Sequence, residues 1–257
     1  MHKSEDYYQK FKDYTDKFLH NAKDELTKKN IQLKITHSIN VENNSKAIAL
    51  SGNLDSGNVF IAGLCGLFHD IGRFEQYTRY NTFRDDESIY HGQLGVEVLN
   101  DTKMLNKLPE KTNQIILQST YNHGLLSIPE TEDPDVLLFS KITRDADKID
   151  IYRIVAEYYH NPGPRNIALE YGLEHIPAIS ENVMDNFYKH KVVSKENLST
   201  LNDFKAMQLS WIFDINFSHT KKTIIQNKYP DIILSSMEDT PQKKELQEII
   251  KSYFLSA

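Results

Sequence analysis

One cysteine, Cys65, in 257 residues excludes an internal disulfide framework and fits a reducing compartment. Cys65 sits inside an apolar run, where a free thiol serves as small core filler. Ten glycines and eight prolines are too few for the many tight turns of a sandwich or barrel. The net charge of −6 lacks the basic excess of a nucleic-acid surface. The opening residues, Met-His-Lys-Ser-Glu-Asp-Tyr-Tyr, have no apolar segment of the kind that makes a signal peptide. No apolar run approaches the roughly 20 residues needed to cross a bilayer. These absences lead us to expect a cytoplasmic protein that engages neither membrane nor nucleic acid.

What remains reads as helix. From Tyr7 to Lys29 aromatics and leucines recur at helical steps (Tyr7, Phe11, Tyr14, Phe18), which predicts one helix with a core-facing stripe. A second helix is expected over Ile31 to Leu50. A third, capped by Asp55 or Ser56, should end at Gly72, a residue suited to the position just past a helix. Tyr77 to Ile89 shows no period and reads as a loop. Helices are then predicted over Tyr90–Asn100 and Pro109–Asn122, and over a longer stretch from Thr131 to about His160, stopped by Asn161-Pro-Gly-Pro-Arg165. Further helices are expected at Ser180–Lys191, Asn202–Asn227 and Pro241–Phe254. The sum is one all-α domain over residues 1–257, with its motifs in about 31–159 and a helical extension over about 165–257. The C-terminal aromatics Phe187, Tyr188, Trp211, Phe213 and Phe217 should complete the core, or else form a dimer face.

The chemistry concentrates at His69-Asp70, which closes the apolar stretch beginning at Phe60. A histidine and a carboxylate at the end of a buried helix each leave water, at a cost that something must offset. A divalent metal would do so, taking imidazole nitrogens and carboxylate oxygens as ligands. His37, His91, His123 and Asp147 stand at wide intervals on other predicted helices and are the natural companions. His2, His20, His160, His175, His190 and His219 have no such context. On the helix from Pro134, the apolar face runs through Phe139, Ile142, Ala146 and Ile149. Asp145, Asp147 and Asp150 compete for one ligand role at its margin. Spacing favours Asp147 slightly, with Asp150 on the same side and Asp145 pointing away toward a surface cation.

These residues resemble the HD-domain superfamily of metal-dependent phosphohydrolases. Its signature is a histidine (His37), a His-Asp doublet (His69-Asp70, extended here as His-Asp-Ile-Gly) and a distant aspartate (Asp147, within Ala-Asp-Lys-Ile-Asp). His91 and His123 occupy the positions that distinguish two-metal members. Ser-Ile-Asn-Val follows His37, where the family more usually has arginine and valine. The resemblance implies a helical bundle in which His37, His69, Asp70 and Asp147 hold one ion, and Asp70 bridges to a second held by His91 and His123. It implies catalysis centred on Asp70 and His69, with two divalent ions drawn from Mn, Fe, Co, Ni or Zn. Two such ions lower the pKa of a shared water and hold phosphoryl oxygens during in-line attack.

Arg73, Arg79 and Arg84 lie close in sequence to these ligands, and Lys148 adjoins Asp147, so all four are candidates to grip a phosphate. Their alternative partners are Glu75, Asp85, Asp86 and Glu87 on a solvated loop. Asp85-Asp86-Glu87 reads as a charged surface rather than a hard-cation site. Tyr77, Tyr80 and Phe83 would stack on a base or pack a lid. The expected activity is hydrolysis of a phosphate ester or anhydride, with a small phosphorylated substrate of the nucleotide class. The alternatives are a di-iron oxygenase on the same ligands and a non-catalytic binding protein. A homo-oligomer remains open.

Overall fold

The structure, a computed structural model, describes residues 4–161, 170 and 172–256. Among them it is helical throughout, with no strand. No described helix is long and apolar enough to cross a membrane. The chain divides into two compact units, Met1–Asp150 and Ile151–Ala257.

The first unit contains α1 (Ser4–His20), α2 (Glu25–Ser51), α3 (Ser56–Phe68), α4 (Gly72–Tyr80), α5 (His91–Thr102), α6 (Glu110–Asn122) and most of α7 (Pro134–His160). Tyr7, Phe11 and Tyr14 of the α1 stripe are buried and Phe18 is half-buried, and Phe11 meets Phe68 and Phe74 edge-on at centroid distances of 6.3 and 6.1 Å. The single helix expected over Tyr7–Lys29 is broken instead. Asp24, extended in backbone, accepts from the Thr27 amide at 2.7 Å and starts α2 afresh. An Asp in that position satisfies an otherwise unpaired first-turn donor, which outweighs the continuity of the stripe.

Helices α2 and α3 cross closely at Gly66, where an added Cβ would lie 2.6 Å from the Val41 carbonyl oxygen. That approach brings His37 of α2 against the end of α3. Asp55 caps α3, accepting from the Asn58 amide at 2.9 Å. The helix ends at Phe68, not at Gly72, which opens α4 instead. The region read as a loop from Tyr77 is therefore helical through Tyr80, and irregular only beyond it. Cys65 is fully buried, and burial pushes its thiol up to about 12.

The second unit holds helices Glu181–Tyr188, Leu201–Ser210, Ser218–Gln226, Tyr229–Ser235 and Pro241–Ser256, with a 3₁₀ turn at Trp211–Asp214. The continuous helix expected over Asn202–Asn227 is thus interrupted, and Tyr229–Ser235 was not anticipated. Phe187 is fully buried in an apolar cluster, with Trp211 and Phe213 packed against it, whereas Tyr188 is exposed. The expected stop at Pro162, Gly163, Pro164 and Arg165 lies outside the described residues, as does His2.

Candidate metal centre

Four histidines and two aspartates from five helices and their ends converge in the first unit. His69 and His123 are the C-cap residues that follow α3 and α6. Each turns its Nδ1 back onto a carbonyl three residues earlier, Gly66 and Thr120, both at 2.7 Å. Helix ends leave such carbonyls without intrahelical partners, so the ring nitrogen has a ready acceptor there. A carbonyl oxygen can only accept, so Nδ1 carries the proton in both rings and Nε2 presents a bare lone pair. His37 Nδ1 lies 2.7 Å from Asp150 Oδ2, and His91 Nδ1 lies 2.8 Å from Asp85 Oδ2. With a carboxylate against each Nδ1, these two rings also turn Nε2 inward.

The inward nitrogens pair off. His37 and His69 bring Nε2 atoms to 3.2 Å, and His91 and His123 to 2.9 Å. Neutral imidazoles whose Nδ1 atoms hold the protons repel one another at that range unless a cation sits between them. Two ligands on metal–nitrogen bonds of about 2.1 Å lie roughly 3.0 Å apart at a right angle, close to both spacings. Asp70 stands between the pairs and divides its oxygens. Oδ2 is 3.6 Å from His37 and 3.7 Å from His69, while Oδ1 is 3.5 Å from both His91 and His123. Asp147 Oδ1 comes within 3.0 Å of His37 Nε2 and 3.6 Å of His69 Nε2, yet the alignment is not that of a hydrogen bond. This buried oxygen has no hydrogen-bond partner among the described residues. Three sets of ligand atoms have the spacing of a metal site: His37–His69–Asp70, His69–His123–Asp147 and Asp70–His91–His123. A bare oxygen, four inward lone pairs and a carboxylate facing both ways fit divalent ions.

The electrostatics agree. Burial works to raise Asp70, but Lys34, His69 and Arg73 together hold it well below the usual carboxylate range. Burial works the same way on Asp147, and His37 and His69 outweigh it. Burial and then the Arg73 charge push His91 down to about 3. Burial also lowers His69. His37 runs the other way: burial and Lys34 depress it, and Asp147 with Asp150 lift it above its ordinary value.

The remaining candidates fall into different places. Arg73 is braced by Asp70 Oδ1 at 3.3 Å, Gln76 Oε1 at 2.8 Å, Asp85 Oδ1 at 3.0 Å and the Phe83 carbonyl. Arg79, exposed, pairs with half-buried Glu75, and Arg84 pairs with exposed Asp86 and Glu87. Lys148 is buried. Tyr77 stacks on Phe83 at 4.6 Å, and Tyr80 is exposed. Asp145 is fully buried, not surface-facing as the helical phase suggested.

Lys34 was not singled out in the sequence, and Asp150 and Asp85 take roles other than those expected of them. Lys34 places Nζ 2.7 Å from Asp70 Oδ2. Asp150 orients His37 while accepting from Asn40 at 3.0 Å. Asp85 orients His91 and binds Arg73 and Gln76, so it belongs to the site and not to the charged surface assigned to its triplet. A signal for Lys34 was available: it precedes His37 by one helical turn and shares its face.

No curated protein and no solved structure matches the chain. The family model of the HD domain matches residues 35–152, a stretch that contains all six converging residues. With that match and this geometry together, residues 35–152 are an HD domain, the fold of a superfamily of metal-dependent phosphohydrolases.

Proposed function

We propose that the chain hydrolyses a phosphate ester or anhydride of a small nucleotide-class substrate, with two divalent ions held by His37, His69, Asp70, Asp147, His91 and His123. The observation that carries this reading is the division of Asp70, one oxygen toward each histidine pair. A carboxylate has two oxygens and can bridge two ions, whereas an imidazole serves one. When bound, the ions would supply Lewis-acid chemistry, making water acidic and neutralising charge on phosphoryl oxygens.

The chain's own residues do the rest. Asp150, Asp85 and the two helix-end carbonyls fix each neutral ring's tautomer, so that its Nε2 faces the ion. The four histidines and Asp70 are at most 6 % exposed. Side-chain exposure rises to 13 % at Arg73, 16 % at Asp147 and 19 % at Lys34. Substrate therefore enters past those three. Lys34 and Arg73 put positive charge beside Asp70 and receive the anion, and Lys34 has fewer hydrogen bonds to surrender. Arg79, Arg84 and Lys148 are secondary in this scheme.

The test is metal analysis of protein purified without oxygen, followed by a phosphate-release screen over nucleotides with each of Mn, Fe, Co, Ni and Zn restored. Phosphate release that needs the metal supports the reading. Turnover that instead requires iron and dioxygen, with no phosphate released, replaces it with the oxygenase.

A further inference from the structure

A cavity of about 180 Å³ opens in the second unit, walled by Ile212, Ile215, Phe217 and Phe254. One lysine lines it. The Lys221 Nζ is buried and has no hydrogen-bond partner among the described residues. It rests instead over two rings, 5.9 Å from the Tyr253 centroid and 5.7 Å from that of Phe254. Asp214 is near enough for its charge to help raise the Tyr253 phenol, after burial, yet it makes no hydrogen bond to the lysine. Cation–π contact offsets part of the loss of water, but an ammonium has three donors, and a ring face accepts none of them as an oxygen would.

A second feature bears on the same cavity. Ser218, in its lining, begins the helix Ser218–Gln226, which starts with no side-chain cap and no acidic residue in its first turn. The first amides of a helix carry partial positive charge and favour an anion. Ammonium and helix start therefore place positive potential at one end of a chamber whose remaining lining is mostly apolar, with Asn216 and Tyr253 also in it. A cavity of about 150 Å³ suffices for benzene, so this one admits a ring-sized body bearing one small charged group. A bare phosphate fits worse, because apolar walls would leave most of its oxygens unpaired.

We propose that this cavity is a binding site for a small organic carboxylate, its charge on Lys221 and its apolar body between Ile212, Ile215 and Phe254. The site lies wholly within the second unit and does not depend on the metal chemistry proposed for the first.

Calorimetric titration of the full chain with sodium benzoate tests it, beside benzamide as the neutral isostere and inorganic phosphate as the anion without a body. Benzoate is expected to bind, with benzamide weaker by about ten-fold or more, the loss expected of one charge-assisted contact. Lys221→Met should weaken benzoate by a similar factor, and Lys221→Arg should retain it. No binding at millimolar benzoate overturns the proposal. Equal affinity for benzamide does so too, since the charge is then not read. Phosphate binding as tightly as benzoate shows that the apolar walls contribute nothing, which also overturns it. Should Lys221→Met fail to fold, the ligand comparison on the unaltered chain and on Lys221→Arg still decides.

Discussion

At the centre of the first unit lie four imidazoles and two carboxylates within reach of one another, whereas the second unit is centred on Val183, Phe187, Leu209, Ile212, Ile224 and Leu246. Both interiors exclude water, so they carry opposite debts. Apolar side chains are stabilised by leaving solvent, by about 1.5–3 kcal/mol for a fully buried large one. Buried imidazole lone pairs and an unsatisfied carboxylate oxygen are destabilising until a partner fills the space between them. The first unit's centre is thus completed by a ligand, and the apolar cluster of the second by its own packing, apart from the cavity at Lys221.

Removing the ligand should therefore expose the largest difference. Asp70→Ala is expected to abolish binding of both ions and with it hydrolysis, while His91→Ala loses one ion and keeps the other. Elemental analysis of the purified variants checks the stoichiometry. Chelation should lower the stability of the first unit by about 4 kcal/mol if the metal had stood a thousand-fold above its Kd. Hydrogen exchange should then accelerate around His37, His69 and Asp147 and stay slow at Val183, Phe187 and Leu209. Uniform acceleration would erase the distinction between the two centres.

The converse experiment opens a cavity in the second centre. Phe187 is fully buried, and Phe187→Ala should cost about 3–5 kcal/mol by lost transfer energy and the void left behind. Metal content should not change. Denaturant unfolding and elemental analysis on the same sample check both halves.

A smaller effect is expected from Asp85→Asn. Its carboxylate accepts from His91 Nδ1 and from the His91 amide at 3.3 Å, and an amide in its place can present a donor to Nδ1 instead. That would favour the tautomer with the proton on Nε2, where the ion must bind. Loss of such an orienting partner weakens metal binding by about 10–100-fold, and only for the ion shared by His91 and His123. Competition with a chromophoric chelator measures it.

In metal-free protein the two centres should also part on acidification. His91, held down to about 3 by burial and Arg73, and His69, lowered chiefly by burial, stay neutral when folded. Below the ordinary value of 6.5 the unfolded chain takes up protons that these folded rings refuse, so their contribution is complete above 6.5 and is lost as pH falls toward 3. His37, raised when folded, opposes this as one ring against two. Exchange at the first centre should quicken through that window well before the second responds.

How much of this was legible follows from the same chemistry. His37, His69-Asp70, His91, His123 and Asp147 announce themselves because their side chains are poor core residues placed on otherwise apolar helices. Asp85 does not, since an acid near other charges reads as surface until the chain brings a histidine to it, and Asp150 reads as a rival of Asp147 for the ion until its oxygen is found on His37 Nδ1. Asp145 misled through helical phase, which gives direction about one axis but not what packs there. The break before Asp24 was hidden because the aromatic stripe of α1 ran toward it unbroken, while the cap that ends the pattern is one short side chain.

The smallest effect should come from Arg79, and it separates two kinds of arginine near one site. Arg79 is 54 % exposed and lies 3.1 Å from Glu75, one turn earlier on α4. Such solvent-screened pairs contribute about 0–1 kcal/mol, so Arg79→Ala should barely shift the melting temperature. Nothing joins it to Asp70 or the histidines among the contacts described above, so the specificity constant for any phosphorylated substrate should also hold. Arg73 differs in both respects. It is largely buried, bonded to Asp70 and Asp85, and takes part in depressing His91. Arg73→Ala should lower kcat/KM by roughly ten- to hundred-fold through a lost charge-assisted contact, and should lower the melting temperature as well, because it strips partners from two carboxylates. Steady-state kinetics and thermal unfolding of both variants provide the comparison. Equal kinetic losses in the two would mean that substrate reaches along α4 to Arg79, and that the anion is gripped at the surface and not beside Asp70.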